Sequence, residues 1–429
     1  MENKIFKSID GLFEENLKYY KINNTRDISQ KRISIIGKGN SISSIPFKKG
    51  SNLIELAINK KIKLNQKKKI IEVSGSIEAF KIHNYLLERK FFFPSFPSYP
   101  MVTVGACIAN CTHGISPKFG VIKDYIREIV LYNPNFGTKI LSKNRNAKLF
   151  NLTVGGMGLT GAIISAKLKV FKLKSSYIEI SDNKKFDNFE KIYKFLKKSN
   201  FIYNQNNLFL KFGEKRFIIS RISSGNFKKS NYNFKSLNVK NIIKLRLGIL
   251  KFSFFRKLLE KLLLIKEYAN NQKSIHINDA FFPSNSRLIY FNLMPKKFME
   301  NQVIIPHKNV KLFFKSFKKL YNKHSPTITL GHLKIFDGKG DYLQFNGKGL
   351  GLTLHFIINK NFHEFYGKFL KLNQNYNCKP NLYKNSIIQM KDIKIFYGKK
   401  YIKFCKEIKK INKKFYFENR LFNQDNFYE

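Results

Sequence analysis

The sequence predicts a two-domain α+β protein, and three observations carry that expectation. At 429 residues the chain is longer than one hydrophobic core usually serves. Residues 1–175 alternate short β-branched runs with glycine-punctuated turns and one helical stretch. From 176 to 381 helix-spaced stretches alternate with strand-like ones, the texture of an antiparallel sheet with flanking helices. A hydrophobic fraction of 43% is enough to build real cores.

In the first part, RISIIGKGNS (32–41) is a β-branched run entering a glycine turn, and SNLIELA and KKIIEVSGS read as further strands. IEAFKIHNYLLERK (77–90) has helical spacing, with Ile77, Phe80, Tyr85 and Leu86 expected on the buried side. A proline-rich loop, FFFPSFPSYP, precedes VTVGACIANCTHG; a strand at IREIVLYN and the turn NPNFG lead to LFNLTVGGMGLTGAIISAKLKVF. In the second part, FEKIYKFLKKS (189–199) and VKLFFKSFKKLYNK (310–323) read as helices. RLIYFNLM (287–294) and LGLTLHFII (350–358) read as strands. The last segment, 382–429, is short, basic and aromatic.

Charge is the odd feature: 80 Lys and Arg against 28 acidic residues give a formal +52. Such a balance usually points to nucleic acid or an anionic membrane. A dedicated nucleic-acid protein concentrates its charge on a tail or one face. Here the lysines run from end to end, so no specific nucleic-acid site is expected, although a basic polyanion-binding protein without catalysis stays open as a rival. Cys107 and Cys111 have no second pair nearby, so no metal site is expected, and four cysteines make no disulfide framework. The N-terminal stretch carries charge throughout, and no apolar run is long enough to span a bilayer. A cytoplasmic protein, soluble or peripheral at the inner membrane face, is the expectation.

Three glycine clusters carry the functional argument: Gly37-Lys38-Gly39-Asn40-Ser41, Gly105 within VTVGACIANCTHG, and Gly155-Gly156-Met157-Gly158-Leu159-Thr160-Gly161. Glycine admits positive φ and lets main-chain N–H groups approach a ligand, and successive N–H groups form concavities that bind phosphate. None is a Rossmann fingerprint. Taken in order, GKGNS (37–41), PSYPMVTVGACIANCTHG (97–114) and LFNLTVGGMGLTGAII (149–164) resemble the FAD-binding (PCMH-type) domain of the vanillyl-alcohol oxidase superfamily over roughly a third of the chain. The GLTG form of the third motif is similar to that of the decaprenylphosphoryl-ribose oxidases, as are LKIFDGKGDYLQFNGKGLGLTLHF, KNSII and KINKKFYFENRL further on.

The resemblance implies an FAD-binding domain over 1–175, a substrate domain over 176–381 and a segment, 382–429, that returns to the FAD domain. It implies a flavoprotein oxidoreductase that oxidises a secondary alcohol of a sugar by hydride transfer to flavin N5. The substrate class it suggests is polyprenyl-phosphate-linked ribose in cell-envelope biosynthesis, with a short-chain reductase completing an epimerisation; aldonolactone oxidation is the neighbouring alternative. Cofactor contacts carry over to Gly37, Gly39, Asn40, Ser41, Thr103, Gly105, His113, Gly155, Gly156, Gly158, Thr160 and Gly161. Relatives with covalent flavin carry a histidine where Asn40 stands, so non-covalent FAD is implied. Lys384 aligns with a lysine near the reacting carbinol and, with His113, is the catalytic candidate; a cation there would stabilise a developing alkoxide. Gln302, Lys334, Thr353 and Lys384 are the implied substrate contacts, Thr353 standing where some members have a cysteine. Ala106, Ile42 and Ile115 depart from the family's glycine, tyrosine and lysine.

Finally, KNIIKLRLGILKFSFFRKLLEKLLLIKEY (240–268) mixes Ile, Leu and Phe with Lys and Arg, with Gly248 as a break. Helical registry from Phe252 gives an apolar side with Phe255, Leu258, Leu259 and Leu262, while Lys257, Lys261 and Lys266 project toward solvent. It reads either as an ordinary helix of the substrate domain or as a peripheral contact with anionic membrane.

Overall fold

The computed structural model describes residues 2–28, 32–58, 61–210, 218–240, 246–269, 274–412 and 416–423. Their architecture is α+β, built on three main sheets. The first has the order Glu2–Lys7, Glu14–Ile22, Asn52–Leu56, Ile33–Ile36. Asn52–Leu56 runs parallel to both its neighbours, so the chain must cross between them, and the Gly37–Ser41 loop is made in that crossing. Its core is β-branched and aliphatic: Ile33, Leu53 and Ile54 are wholly buried. The C-terminal end adds to the edge of this sheet. Ile33 N–H donates to Tyr416 O at 2.6 Å and Glu418 N–H to Ile33 O at 2.8 Å, while the Glu418 carboxylate accepts from Ser51 Oγ at 2.6 Å.

The second sheet is antiparallel, in the order Ile62–Asn65, Ile70–Ser74, Ala162–Lys169, Ile126–Asn133, Gly137–Leu141. The Ala79–Glu88 helix buries Ala79, Ile82, His83, Leu86 and Leu87 near it. The expected inner face is therefore rotated: Phe80 and Tyr85 are only half-buried, because Ile82 and His83 take the inward positions one helical step on. The segment after this helix begins as the short strand Phe91–Phe92 and is core rather than surface, with Phe91, Phe92, Phe93 and Phe96 all at 2% exposure or less.

The third sheet has eight strands, in the order Ser274–His276, Tyr177–Phe186, Ile218–Phe227, Tyr203–Leu210, Ile328–Asp337, Lys348–Ile357, Phe298–Pro306, Lys379–Pro380. Every pairing in it is antiparallel. Phe189–Lys198, Val310–His324 and Phe362–Asn375 are helices on one of its faces, where Ile192, Phe313, Phe317, Phe365 and Phe369 meet Val303, Leu333, Leu352 and Leu354. Side chains alternate across a strand, so the intervening residues of those same strands face the opposite way.

One expected strand is a helix. Residues 287–294 fall largely within Ser284–Leu293, despite a β-prone Ile-Tyr-Phe run. Leu288 and Phe291, three apart, are both buried, and Phe291 packs with Met294 and Phe298; tertiary packing overrides local propensity. Gly248 does break the chain, at φ +71°, before the Ser253–Ala269 helix. Of the 240–268 segment, residues 241–245 and the side chain of Lys266 lie outside the described residues.

Candidate functional site

A cavity of about 550 Å³ runs from the glycine loops to the polar face of the third sheet. That is within the range, roughly 300–1,000 Å³, of small-molecule and cofactor sites. One wall is built from close approaches that side chains would block. A Cβ on Gly37 would lie 2.7 Å from Thr103 Oγ1 and 3.4 Å from the Ala106 methyl. A Cβ on Gly75 would lie 2.1 Å from Ile163 O. Thr103 caps the Val104–Ala109 helix by accepting from Ala106 N–H at 3.3 Å. Asn40 Nδ2 donates to Met101 O at 2.8 Å, which fastens the first glycine loop to the approach of that helix. Gly105 N–H is committed to Gly75 O at 2.8 Å, and a Cβ on Gly105 would lie 3.1 Å from that oxygen, so Gly105 lets the helix start approach the Gly75 backbone closely. The Ala106 methyl faces the space that Gly37 leaves open, which is how the wall accommodates it.

The opposite wall is the sheet. Three neighbouring strands each turn two polar side chains to the cavity at a spacing of two: Glu300 and Gln302, His332 and Lys334, Thr353 and His355. Cross-strand register puts Gln302, Thr353 and His332 on one rung and Glu300 with His355 on the next. The short 3-10 turn Leu382–Lys384 closes one end; its cap Asn381 accepts from Tyr383 N–H and donates through Nδ2 to Gln302 Oε1 at 2.7 Å. Lys384 Nζ meets Glu300 Oε1 at 2.6 Å. The turn is anchored just beyond by Ser386, whose hydroxyl donates to the buried Asp10 carboxylate.

His113 and Lys334 share a carbonyl. Lys334 Nζ donates to Gly114 O at 2.7 Å, and His113 Nδ1 lies 3.0 Å from the same oxygen. His113 Nε2 is 3.2 Å from Gln302 Oε1. Burial, with the Lys334 charge adding to it, pushes the His113 imidazole down to about 3, so the ring is neutral in ordinary conditions. Desolvation alone brings the Lys334 ammonium down to about 7. That places its protonation change near neutrality, where a group can both take and return a proton. Cys107 and Cys111 also border the cavity, but burial raises both thiols to about 12, which leaves them unreactive.

Of the residues singled out from sequence, Gly37, Gly39, Asn40, Ser41, Thr103, Gly105, His113, Gly158, Gly161, Gln302, Lys334, Thr353 and Lys384 all border this one cavity. Gly155, Gly156 and Thr160 do not. A Cβ on Gly156 would meet Leu152 O at 2.1 Å, and one on Gly155 would press on Gln344 at 2.8 Å, so both serve turn packing behind the wall. Thr160 is 1% exposed, and its carbonyl accepts from Asn133 Nδ2 at 3.0 Å. Ile42 and Ile115 also border the cavity, making it more apolar there. Sequence reasoning missed Gly75, Glu300, His332, His355 and Asn381. A signal existed for two of them, His332 and His355: polar residues two apart inside apolar strands, as in HLK and TLH.

Residues 23–138 match the FAD binding domain family. Over 195 residues the chain is 22% identical to the D-arabinono-1,4-lactone oxidase of Candida glabrata, covering 41% of this chain and 36% of that protein. It is 24% identical over 139 residues to the L-gulonolactone oxidase of Bos taurus, 32% of each chain. It is also 25% identical over 144 residues to the decaprenylphosphoryl-beta-D-ribose oxidase of Mycolicibacterium smegmatis, 33% of this chain and 31% of that one. The chain thus spans about a third of the length of these curated relatives. The N-terminal part is an FAD-binding domain of the vanillyl-alcohol-oxidase fold, and FAD is its cofactor. The lining fits that group, since Gly37, Gly39, Gly105, Gly158 and Gly161 border the same cavity as the polar side chains of the sheet, and glycine lets main-chain N–H groups approach a phosphate closely. Among the described residues no helix is long and apolar enough to cross a membrane, and no cluster of His, Cys, Asp and Glu could hold a metal.

Proposed function

We propose that this chain is an FAD-dependent oxidoreductase that oxidises a secondary alcohol of a sugar or sugar lactone. The observation that carries the proposal is one cavity bordered at one end by the glycines of three separate loops and at the other by Lys334, Lys384, His113, Gln302 and Thr353. Bound along that wall, FAD supplies a two-electron acceptor for the hydride of a carbinol C–H. The protein's own part is to position the carbinol and remove its proton. Glu300 fixes Lys384 Nζ in place, so that an N–H can point at the carbinol oxygen as negative charge develops there. Lys334, neutral in a large fraction of molecules near pH 7, accepts the hydroxyl proton and passes it on. Gln302, held by Asn381, and Thr353 beside it supply hydrogen bonds to neighbouring sugar hydroxyls. Neutral His113, packed edge-on to Phe336 at 5.1 Å between ring centroids, helps keep bulk water from the chamber.

For the substrate, two readings stand. Several relatives are named as aldonolactone oxidases or dehydrogenases, which favours a soluble sugar lactone. The M. smegmatis relative is named for decaprenylphosphoryl ribose, which favours a lipid-linked sugar oxidised at its 2′ carbon, with a short-chain reductase finishing the epimerisation. The flavin is held without a covalent bond at the first glycine loop, because Asn40 offers a carboxamide there, which is not a nucleophile, and that amide is hydrogen-bonded to Met101 O. Acid precipitation of the yellow protein should leave the colour in the supernatant. Anaerobic addition of candidate lactones and polyprenyl-phosphoryl sugars to the oxidised protein should bleach the flavin bands with one class. A purified chain that binds no flavin at all would overturn the proposal.

A further inference from the structure

Among the described residues twelve large apolar side chains are exposed, and seven of them lie between 247 and 289: Leu247, Phe252, Phe254, Phe255, Leu258, Leu262 and Ile289. The other five are scattered singly from residue 5 to residue 402, which is ordinary for a protein surface. The seven are gathered by the fold as well as by the sequence. Leu247 N–H donates to Asn292 O at 2.8 Å, tying the approach of the Ser253–Ala269 helix to the end of the Ser284–Leu293 helix. Phe255 contacts both Phe252 and Phe254, with ring centroids 6.4 and 5.4 Å away.

The helix itself is divided into sectors. At 3.6 residues per turn, Phe254, Leu258, Leu262 and Phe255 fall within an arc of roughly 100° that faces outward. Phe254 is 68% exposed and Leu262 55%. On one flank of that arc come Lys257 and Lys261, both exposed; on the other come Leu259 and Leu263, which pack inward and border the cavity. Lys251 is exposed at the start of the helix. Arg256 is spent on the helix entry, donating to Leu250 O at 2.9 Å and Lys251 O at 2.6 Å. An ordinary helix of a folded domain buries its apolar arc, but here that arc is the outward one.

We propose that this face, built from 247–262 and Ile289, docks the protein on an anionic lipid bilayer. Exposed phenylalanines and leucines bordered by lysines are what an interfacial helix presents to acyl chains and acidic headgroups respectively. No described helix is long and apolar enough to cross, so the contact is peripheral. A second copy of the chain is the poorer occupant: a two-fold contact would set Lys251, Lys257 and Lys261 against their own duplicates in a chain of net charge +52. Docking would bring the Leu259, Leu263 and Ile289 flank of the cavity to the bilayer surface. The docking does not depend on the flavin chemistry, and its test does not read it.

The experiment is flotation of the full-length, flavin-loaded protein with vesicles of phosphatidylcholine alone or with about 30% phosphatidylglycerol. The protein is expected to float with the anionic vesicles only. The triple variant F254S/L258S/L262S alters exposed side chains and is expected to keep its flavin spectrum while losing at least about tenfold in vesicle affinity; K257E/K261E should lose as much. K371E/K391E, with the same change of net charge at exposed lysines elsewhere, should bind like the parent. The chain has no tryptophan, so F254W is a sole reporter whose emission should shift to the blue on the anionic vesicles. Failure of the parent to float overturns the proposal. So does equal loss in the control pair, which would mean diffuse charge, or parent-like floating of the serine variant. A concentration-dependent dimer that the serine variant abolishes, with vesicle binding unchanged, would assign the face to a second copy instead.

Discussion

Replacing Lys334 by methionine should stabilise the flavin-free protein, and by an amount that depends on pH in a defined way. The ammonium is buried beside His113 and donates to Gly114 O. Burial takes its pKa from 10.5 to about 7, which corresponds to about 5 kcal/mol of cost for holding it charged. Below pH 7 the lysine is protonated in folded and unfolded chains alike, and that cost is carried in full. Between about 7 and 10.5 the unfolded chain binds the extra proton and the folded one does not, so stability of the parent rises with pH. Methionine has no such term. The advantage of K334M over the parent should therefore be largest at pH 6.5–7 and shrink by about 1.4 kcal/mol per pH unit above it. The lost bond to Gly114 O offsets the whole curve by about 1 kcal/mol without changing its slope. Urea unfolding of both proteins at pH 7, 8 and 9 measures this directly. A difference that stays flat across that window would show that Lys334 is not held near 7, and with it would go its assignment as the proton acceptor.

Three further outcomes follow from the same geometry. Lys384→Met should keep the flavin spectrum and lower the rate of anaerobic flavin reduction by about 100-fold, whereas Glu300→Gln should cost about 3–5 kcal/mol of stability by leaving a buried pair half-made; the double variant should recover part of that in a denaturation cycle. Gly37→Ala should lower bound FAD per chain, because its methyl must displace Thr103 Oγ1. Gly158→Ala meets nothing within 4 Å and should cost only about 1–2 kcal/mol for its φ of +77°, with flavin content retained. His83 is wholly buried, with Nε2 2.8 Å from Asn278 Oδ1, and burial holds it at about 4 instead of 6.5. The unfolded chain thus takes up a proton that the folded one refuses, and this group alone should lower stability by about 1.4 kcal/mol per unit as pH drops from 6.5 to 4, a share of the acid slope that His83→Phe would remove.

The glycine wall was legible in the sequence because its chemistry is local. A strand followed by Gly-x-Gly, or a Thr-Val-Gly run, already states what the backbone must do, and Gly37, Thr103 and Gly158 stand where that reading puts them. The exceptions are equally local in cause: Gly155 and Gly156 share a motif with Gly158 but turn away, since only the fold decides which glycine of a tight turn meets the cavity and which meets Leu152 O. Elements failed where packing outweighs propensity. The Ile-Tyr-Phe run of 289–291 is β-prone by composition and helical because Leu288 and Phe291 share one buried side. The helix after Gly248 was placed, but the burial of its arc was not, because periodicity reports an apolar side without saying what covers it.

The polar chamber was the least legible part, for a reason that bears on the chemistry. Gln302, Lys334 and Lys384 were found one by one through resemblance, yet what makes them a site is a register among three strands and a turn whose members lie up to 84 positions apart. Glu300 shows the difference. In sequence it is an acid two residues before a glutamine, with nothing to mark it. In the fold it is 3% exposed, bonded to Lys384 and cross-strand from His355. A carboxylate is tolerated at that depth only with a cation beside it, and a lysine on a short turn points one way only when something holds it. The two residues therefore explain each other. Any account that gives Lys384 a direct role in the chamber must give Glu300 the task of aiming it.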